Sequence, residues 1–140
     1  MIKFLLKHRN NKIADKLLKL LGLEIHRNAN ISDKVEFVHM PYGTVITDKV
    51  IIEDDVKIYN GVTLGKADVF LSDNEINSKA GNIIIKKGAI ISTGAKILLK
   101  NGDLIIGENT VIGANSVLTK STGDNEIWAG IPARKIRNLI

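Results

Sequence analysis

Aliphatic side chains recur at every sixth residue over most of this chain. Ile25, Ile31 and Phe37 form one run, Ile46, Ile52, Ile58 and Leu64 a second, Ile85, Ile91 and Ile97 a third, and Ile106, Ile112 and Leu118 a fourth. Small or β-branched residues follow four places later at Ala29, Val35, Val50, Val56, Val62, Ala89, Ala95, Thr110 and Ser116. Such a period matches neither a helix nor the simple alternation of an isolated strand, so the chain reads as a repeat array. With a short strand and a bend in each hexad, three hexads make one coil of about 18 residues, and coils stack as parallel strands about 4.8 Å apart. The repeating aliphatics then fill a narrow triangular core. The residue before them is often apolar too, as at Val45, Ile51, Ile84, Ile90, Ile105, Val111 and Val117. Association of identical subunits would cover that outward strip.

The register breaks in three places. The steps from Phe37 to Ile46 and from Ile97 to Ile106 are nine residues, and the step from Leu64 to Ile85 is 21. The short breaks are expansions at a corner of the coil. The long one predicts a protruding loop at 66–82 (KADVFLSDNEINSKAGN), and loops of that size in a compact array usually carry function, a tolerated surface insertion being the alternative. The hexads start at Ile25 and end near Lys120, giving a 25–120 repeat body between a 1–24 helical cap and a 121–140 tail. Within the cap, Ile13, Leu17, Leu20 and Leu21 share one side of a helix over 12–21 that Gly22 stops, with a shorter turn around Phe4 to Lys7. Its leucines are expected to cover the open end of the stack, a reading preferred to peripheral membrane contact. The closing ARKIRNLI is expected to form a short basic turn or helix.

Composition narrows the function classes. At 140 residues there is room for one domain, and without cysteine there is neither a disulfide framework nor a thiolate nucleophile or zinc ligand. Residues 1–24 hold six Lys/Arg against Asp15 and Glu24, a net +4 out of the chain's +5. The repeat body is thus nearly neutral and carries few aromatics, which argues against nucleic-acid binding. The N-terminus lacks an uninterrupted apolar stretch and a cleavage pattern, and no segment has the 18 or so apolar residues needed to span a bilayer, so a cytoplasmic protein is expected.

Among His8, His26 and His39, only His39 sits inside a corner expansion, in FVHMPYGTVI. A histidine lifted from the regular coil beside Pro41 and Gly43 is placed to reach a substrate as a general base, or else serves the corner structurally. No H-x-x-H or H-x-x-x-H spacing supports a catalytic metal, and no metal is expected.

The order of IIEDDVKIYNGVTLG, a loop, IIIKKGAIISTGAKIL, IIGENTVIGANSVLTKS and WAGIPARKI resembles the hexapeptide-repeat acyltransferases, and within them the serine O-acetyltransferase-like branch, from about Ile25 to Arg137. The resemblance implies a left-handed parallel β-helix, a homotrimer, and acetyl-CoA held in the groove between adjacent subunits. It implies His39 as the base that deprotonates an acceptor hydroxyl for direct attack on the thioester. Gly65 and Lys66 match positions at the thioester arm, Thr93 and Ala114 positions at the pantetheine, and Lys120, Arg134 and Lys135 positions near the nucleotide end. The pattern also departs from serine acetyltransferases. Val38 stands where they carry Asp before the catalytic His, Asn82 stands where they carry a second His, and their long helical N-terminal domain is reduced to about 24 residues. These groups are expected to orient the base and grip the amino acid. The expectation is therefore an O-acetyltransferase acting on a sugar hydroxyl in polysaccharide or glycan biosynthesis, with Tyr42, Asn60 and Asn82 lining the acceptor pocket. Serine O-acetylation is the alternative, and a non-catalytic β-helix scaffold the rival from another class.

Overall fold

A computed structural model of the chain describes residues 1–67 and 80–140. The hexads fold into five stacked coils whose strands form three sheets. Coil 1 contains β1 (Leu23–Ile25), β2 (Asn30–Ile31) and β3 (Glu36–Phe37), and coil 2 contains β4 (Thr44–Ile46), β5 (Val50–Ile52) and β6 (Lys57–Ile58). Coil 3 contains β7 (Thr63–Lys66), β8 (Ala80–Ile85) and β9 (Ile90–Ile91), and coil 4 contains β10 (Lys96–Leu99), β11 (Gly102–Ile106) and β12 (Val111–Ile112). β13 (Val117–Leu118) and β14 (Glu126–Gly130) make the last coil, and β15 (Ala133–Asn138) turns back on it. The first sheet runs β1-β4-β7-β10-β13, the second β2-β5-β8-β11, and the third β3-β6-β9-β12-β14-β15. All pairings are parallel except β14 with β15.

The register explains why the hexads stack. Ile25 lies beside Ile46 (21 residues on), Ile46 beside Leu64 (18), Leu64 beside Ile97 (33) and Ile97 beside Leu118 (21). The extra residues leave at corners, so like positions still meet across each step. Ile52, Ile58, Leu64, Ile85, Ile91, Ile97, Ile106, Ile112 and Leu118 are all at most 2% exposed, and the small residues four places later are buried with them. Ile31 and Phe37 are only partly buried, because coil 1 has a coil on one side alone. Outward residues also align: Ile51, Ile84 and Ile105 form one row on the second sheet, and Ile90, Val111 and Ile127 another on the third.

The ends differ from expectation. At the N-terminus, α1 (Ile2–Lys7) and α2 (Lys12–Leu20) form, the latter N-capped by the Asn11 side chain accepting from the Ile13 N–H at 2.8 Å. Ala14 and Leu18 are the residues of α2 that dock on the stack, however, while Ile13, Leu17 and Leu20 are 72%, 43% and 82% exposed. The apolar arc is wider than the face that docks, and the small Ala14 lets the helix approach. At the other end ARKIRN is a strand, not a turn or helix. Gly130, Ile131 and Pro132, with a cis Ile131–Pro132 bond, reverse the chain so that β15 covers β14. Trp128 lies beside Ile112 and closes the core. The loop expected at 66–82 lies mostly in 68–79, outside the described residues.

Candidate active site

The three sheets meet at three edges, and the site residues fall on two of them. Residues 38–43, 59–62, 92–95 and 113–116 turn from the third sheet to the first. Along this edge the N–H of Gly43 donates to the Gly22 carbonyl, Gly61 to Tyr42, Gly94 to Asn60 and Asn115 to Thr93, at 2.8–3.0 Å. Gly22, Gly43, Gly61, Gly94 and Asn115 all have positive φ, from 53° to 73°. A tight left-handed bend is repeated at each level, and asparagine and glycine suit it best.

His39 stands at the head of this edge. Its own φ is 67°, it is exposed, and its ring meets Tyr59 of the next coil edge-on, with centroids 5.8 Å apart. Val38 anchors the approach by donating its N–H to the Ile58 carbonyl at 2.9 Å. The Val38 side chain is half-buried, and no carboxylate pairs with the His39 ring among the described residues. Tyr42, three residues further along the same expansion, is exposed and lies against Gly22. One level down, the Thr93 hydroxyl donates to the Asn60 side-chain oxygen at 3.3 Å, and Ala114 is exposed a level further on. Ser92, Gly113 and Ala129 continue the line below Tyr59, and a Cβ on Gly113 would lie 3.0 Å from that of Ala129. β15 brings Arg134 opposite Ala129 and Lys135 opposite Trp128, at the foot of the same edge.

The basic groups at that end are partly engaged. Lys135 donates to Glu126 at 2.6 Å, and the Glu126 carboxylate also accepts from the Trp128 indole N–H at 2.7 Å and the Gly123 N–H at 2.8 Å. These interactions, Lys135 foremost, hold the Glu126 carboxyl down at about 2. Lys120 lies over the Trp128 ring, its Nζ 5.7 Å from the centroid, and Arg134 donates to its own Ala133 carbonyl at 3.0 Å.

Gly65, Lys66 and Asn82 lie elsewhere. They flank the turn from the first sheet to the second, a different edge from that of His39. Lys66 pairs with Asp48 of the preceding coil at 3.6 Å, Gly65 is buried against Thr47, and the Asn82 N–H donates to Asp103 at 2.7 Å. One chain therefore gathers His39, Tyr42, Asn60, Thr93 and Ala114, with Arg134 and Lys135 at the foot, and separates them from Gly65, Lys66 and Asn82. Tyr59 is the neighbour that sequence reasoning missed. Its signal was its place directly after the inward Ile58, the same hexad position as Val38. Among the described residues no three His, Asp or Glu side chains converge to hold a metal.

The site is thus a three-sheeted parallel coil with an exposed histidine at one edge and small residues in line below it, the architecture of a hexad-repeat protein. No family model matches the chain. It is 35% identical over 117 residues to the serine acetyltransferase of Mycobacterium tuberculosis, covering 84% of this chain and 46% of that protein. It is also 35% identical over 115 residues to that of Bacillus subtilis, covering 82% and 48%. Among solved structures, serine acetyltransferase from Brucella abortus superposes with a TM-score of 0.75 at 30% identity, over 98% of this chain and 53% of that one. The same enzyme in complex with coenzyme A gives 0.73 at 29%, over 98% and 52%. The chain belongs to the hexapeptide-repeat acyltransferase superfamily. It spans about half the length of the curated relatives it matches. These relatives are serine acetyltransferases and lend no support to the narrower branch of small sugar O-acetyltransferases.

Proposed function

We propose that the chain is an acetyl-CoA-dependent O-acetyltransferase in which His39 is the general base. The observation that carries this is the edge on which His39 heads a line of small residues ending at Arg134 and Lys135. In the third sheet β3, which leads into His39, and β15, which carries the basic pair, are five strand steps apart, which at about 4.8 Å each separates them by roughly 24 Å. That span suits a long donor with its thioester at one end and its phosphates at the other. His39 takes the proton of an acceptor hydroxyl as the oxygen attacks the thioester carbonyl. The tetrahedral centre collapses with loss of the CoA thiolate, and the imidazolium returns the proton to sulfur, so no acyl-enzyme forms. Edge-on contact with Tyr59 limits the swing of the ring, the role an adjacent carboxylate would otherwise share.

Gly65, Lys66 and Asn82 join this site if a second copy lays its neighbouring edge against the first. The aligned Ile51, Ile84 and Ile105 give such a contact an apolar face, which supports association of identical copies; a homotrimer and a left-handed winding are what the resemblance to the hexapeptide-repeat acyltransferases implies. Serine is the acceptor that the relatives favour. The glycan reading retains one observation in its favour, the half-buried Val38 beside His39, and comes second.

The test is thiol release from acetyl-CoA by wild type and His39→Ala, with serine and with a panel of sugars, both proteins being checked for assembly mass. Turnover with serine that falls about 10²–10⁴-fold in the variant supports the reading. Turnover confined to a sugar reverses the order of acceptors. A folded protein that neither binds CoA nor transfers acetyl overturns both in favour of a scaffold.

A further inference from the structure

Among the described residues, the face of α2 turned away from the coil has no partner. Ile13, Leu17 and Leu20 recur at i, i+4 and i+7, so they form one stripe, and they are 72%, 43% and 82% exposed. Three large aliphatics on nine residues of helix are costly to leave in water, and none is needed for the cap, which Ala14 and Leu18 supply. Lys16 adjoins both Ile13 and Leu20, and Lys12 stands one turn before it. The acid of this helix, Asp15, points to the other side and is paired with Lys19 at 2.9 Å. On α1, Phe4 is 65% exposed between the exposed Lys3 and Lys7.

We infer that this stripe, bordered by Lys12 and Lys16, is a docking face for an anionic lipid surface. An apolar stripe edged by lysines is the composition of helices that lie in a bilayer interface, the aliphatics entering the acyl boundary and the ammonium groups meeting lipid phosphates. Charge selects this occupant over a second copy of the chain. Residues 1–24 carry a net +4, so stripe-to-stripe pairing would oppose like charges, whereas an anionic surface neutralises them.

Co-sedimentation of the full chain with phosphatidylcholine vesicles, and with vesicles of equal parts phosphatidylglycerol and phosphatidylcholine, tests this. Binding is expected with the anionic vesicles alone and is expected to weaken as salt rises. The triple variant Ile13→Ser, Leu17→Ser, Leu20→Ser should lose at least about tenfold in partitioning while melting at the wild-type temperature, since these residues are exposed. Lys12→Glu with Lys16→Glu should lose a comparable factor, roughly tenfold or more. Failure of wild type to bind either vesicle, or unchanged binding by the triple variant, overturns the proposal. A fall in assembly mass in the triple variant, with vesicle binding intact, would assign the stripe to contact between copies instead. Acetyl transfer enters none of these readouts, so they stand or fall apart from the proposed reaction.

Discussion

Replacing Glu126 by Gln isolates the clamp that fastens the last strand. The Glu126 carboxylate receives Lys135, the Trp128 indole and the Gly123 N–H, and so ties β15, the closing tryptophan and the turn before β14 to one point. Its pKa falls from 4.5 to about 2, with the Lys135 hydrogen bond the largest cause and the indole hydrogen bond next. That difference sets a ceiling of about 3 kcal/mol on what the charge contributes to stability. The Glu126 side chain is 13% exposed but that of Lys135 is 42%, and solvent screening of the pair brings the expected contribution to about 1–2 kcal/mol. Because the folded pKa lies below the unfolded one, the contribution is complete above 4.5 and drains away as pH falls toward 2. Urea unfolding of wild type and Glu126→Gln should therefore differ by about 1–2 kcal/mol at neutral pH and converge as the solution is acidified below the mid-fours. Lys135→Met should raise the Glu126 titration midpoint, read by carboxyl NMR, because it removes the largest cause. A gap between wild type and Glu126→Gln that stays constant from neutral pH to pH 3, or a Glu126 midpoint near 4.5 in wild type, would refute the argument.

Ile91→Ala removes most of a side chain with no exposure between Ile58 and Ile112, and is expected to cost about 2–5 kcal/mol by urea unfolding. Gly94→Ala sets a Cβ against the Asn115 side-chain oxygen at a φ of 70°; since that oxygen can swing away, the backbone strain dominates, about 1–2 kcal/mol, with a matching drop in melting temperature. Ile84→Asp places a charge in the middle of the outward row on the second sheet, and sedimentation should show smaller assemblies with the circular dichroism of the coil retained.

Most of the stack was legible because its period is strict. Each hexad aliphatic from Ile46 to Leu118 points inward, and the nine- and 21-residue steps reappear as register offsets that leave the pairing intact. The ends were less legible because nothing periodic selects their partners. On α2 the pattern reveals an apolar arc, but which part of it docks depends on how Gly22 leads the chain into β1: Leu21 packs on the core as expected, while Ala14 and Leu18 take the place of Ile13, Leu17 and Leu20. ARKIRN looked like a basic turn or helix because its strand partner, β14, is itself the last rung of the coil and has no hexad signature. At the site, the corner expansion pointed to His39, while Thr93 and Ala114 followed only from the resemblance to the hexapeptide-repeat acyltransferases, and Asn60 was a candidate for the acceptor pocket. Tyr59 was hidden because its role arises only when two coils are stacked.

The unequal register offsets also govern how the molecule comes apart. Each coil touches only the coils above and below it, so the stack behaves as a line of coupled units whose loss propagates from an end. The two ends are not equivalent. The C-terminal rung is bolted by an antiparallel strand and the Glu126 clamp, whereas the N-terminal rung is held by two short helices through a few buried residues. Pulled from its termini, the chain should shed α1, α2 and coil 1 first. The next resistance then lies where coil 2 grips coil 3, with Ile46 against Leu64, Ile52 against Ile85 and Ile58 against Ile91, and the long step from Leu64 to Ile97 comes only after it, where coil 3 leaves coil 4.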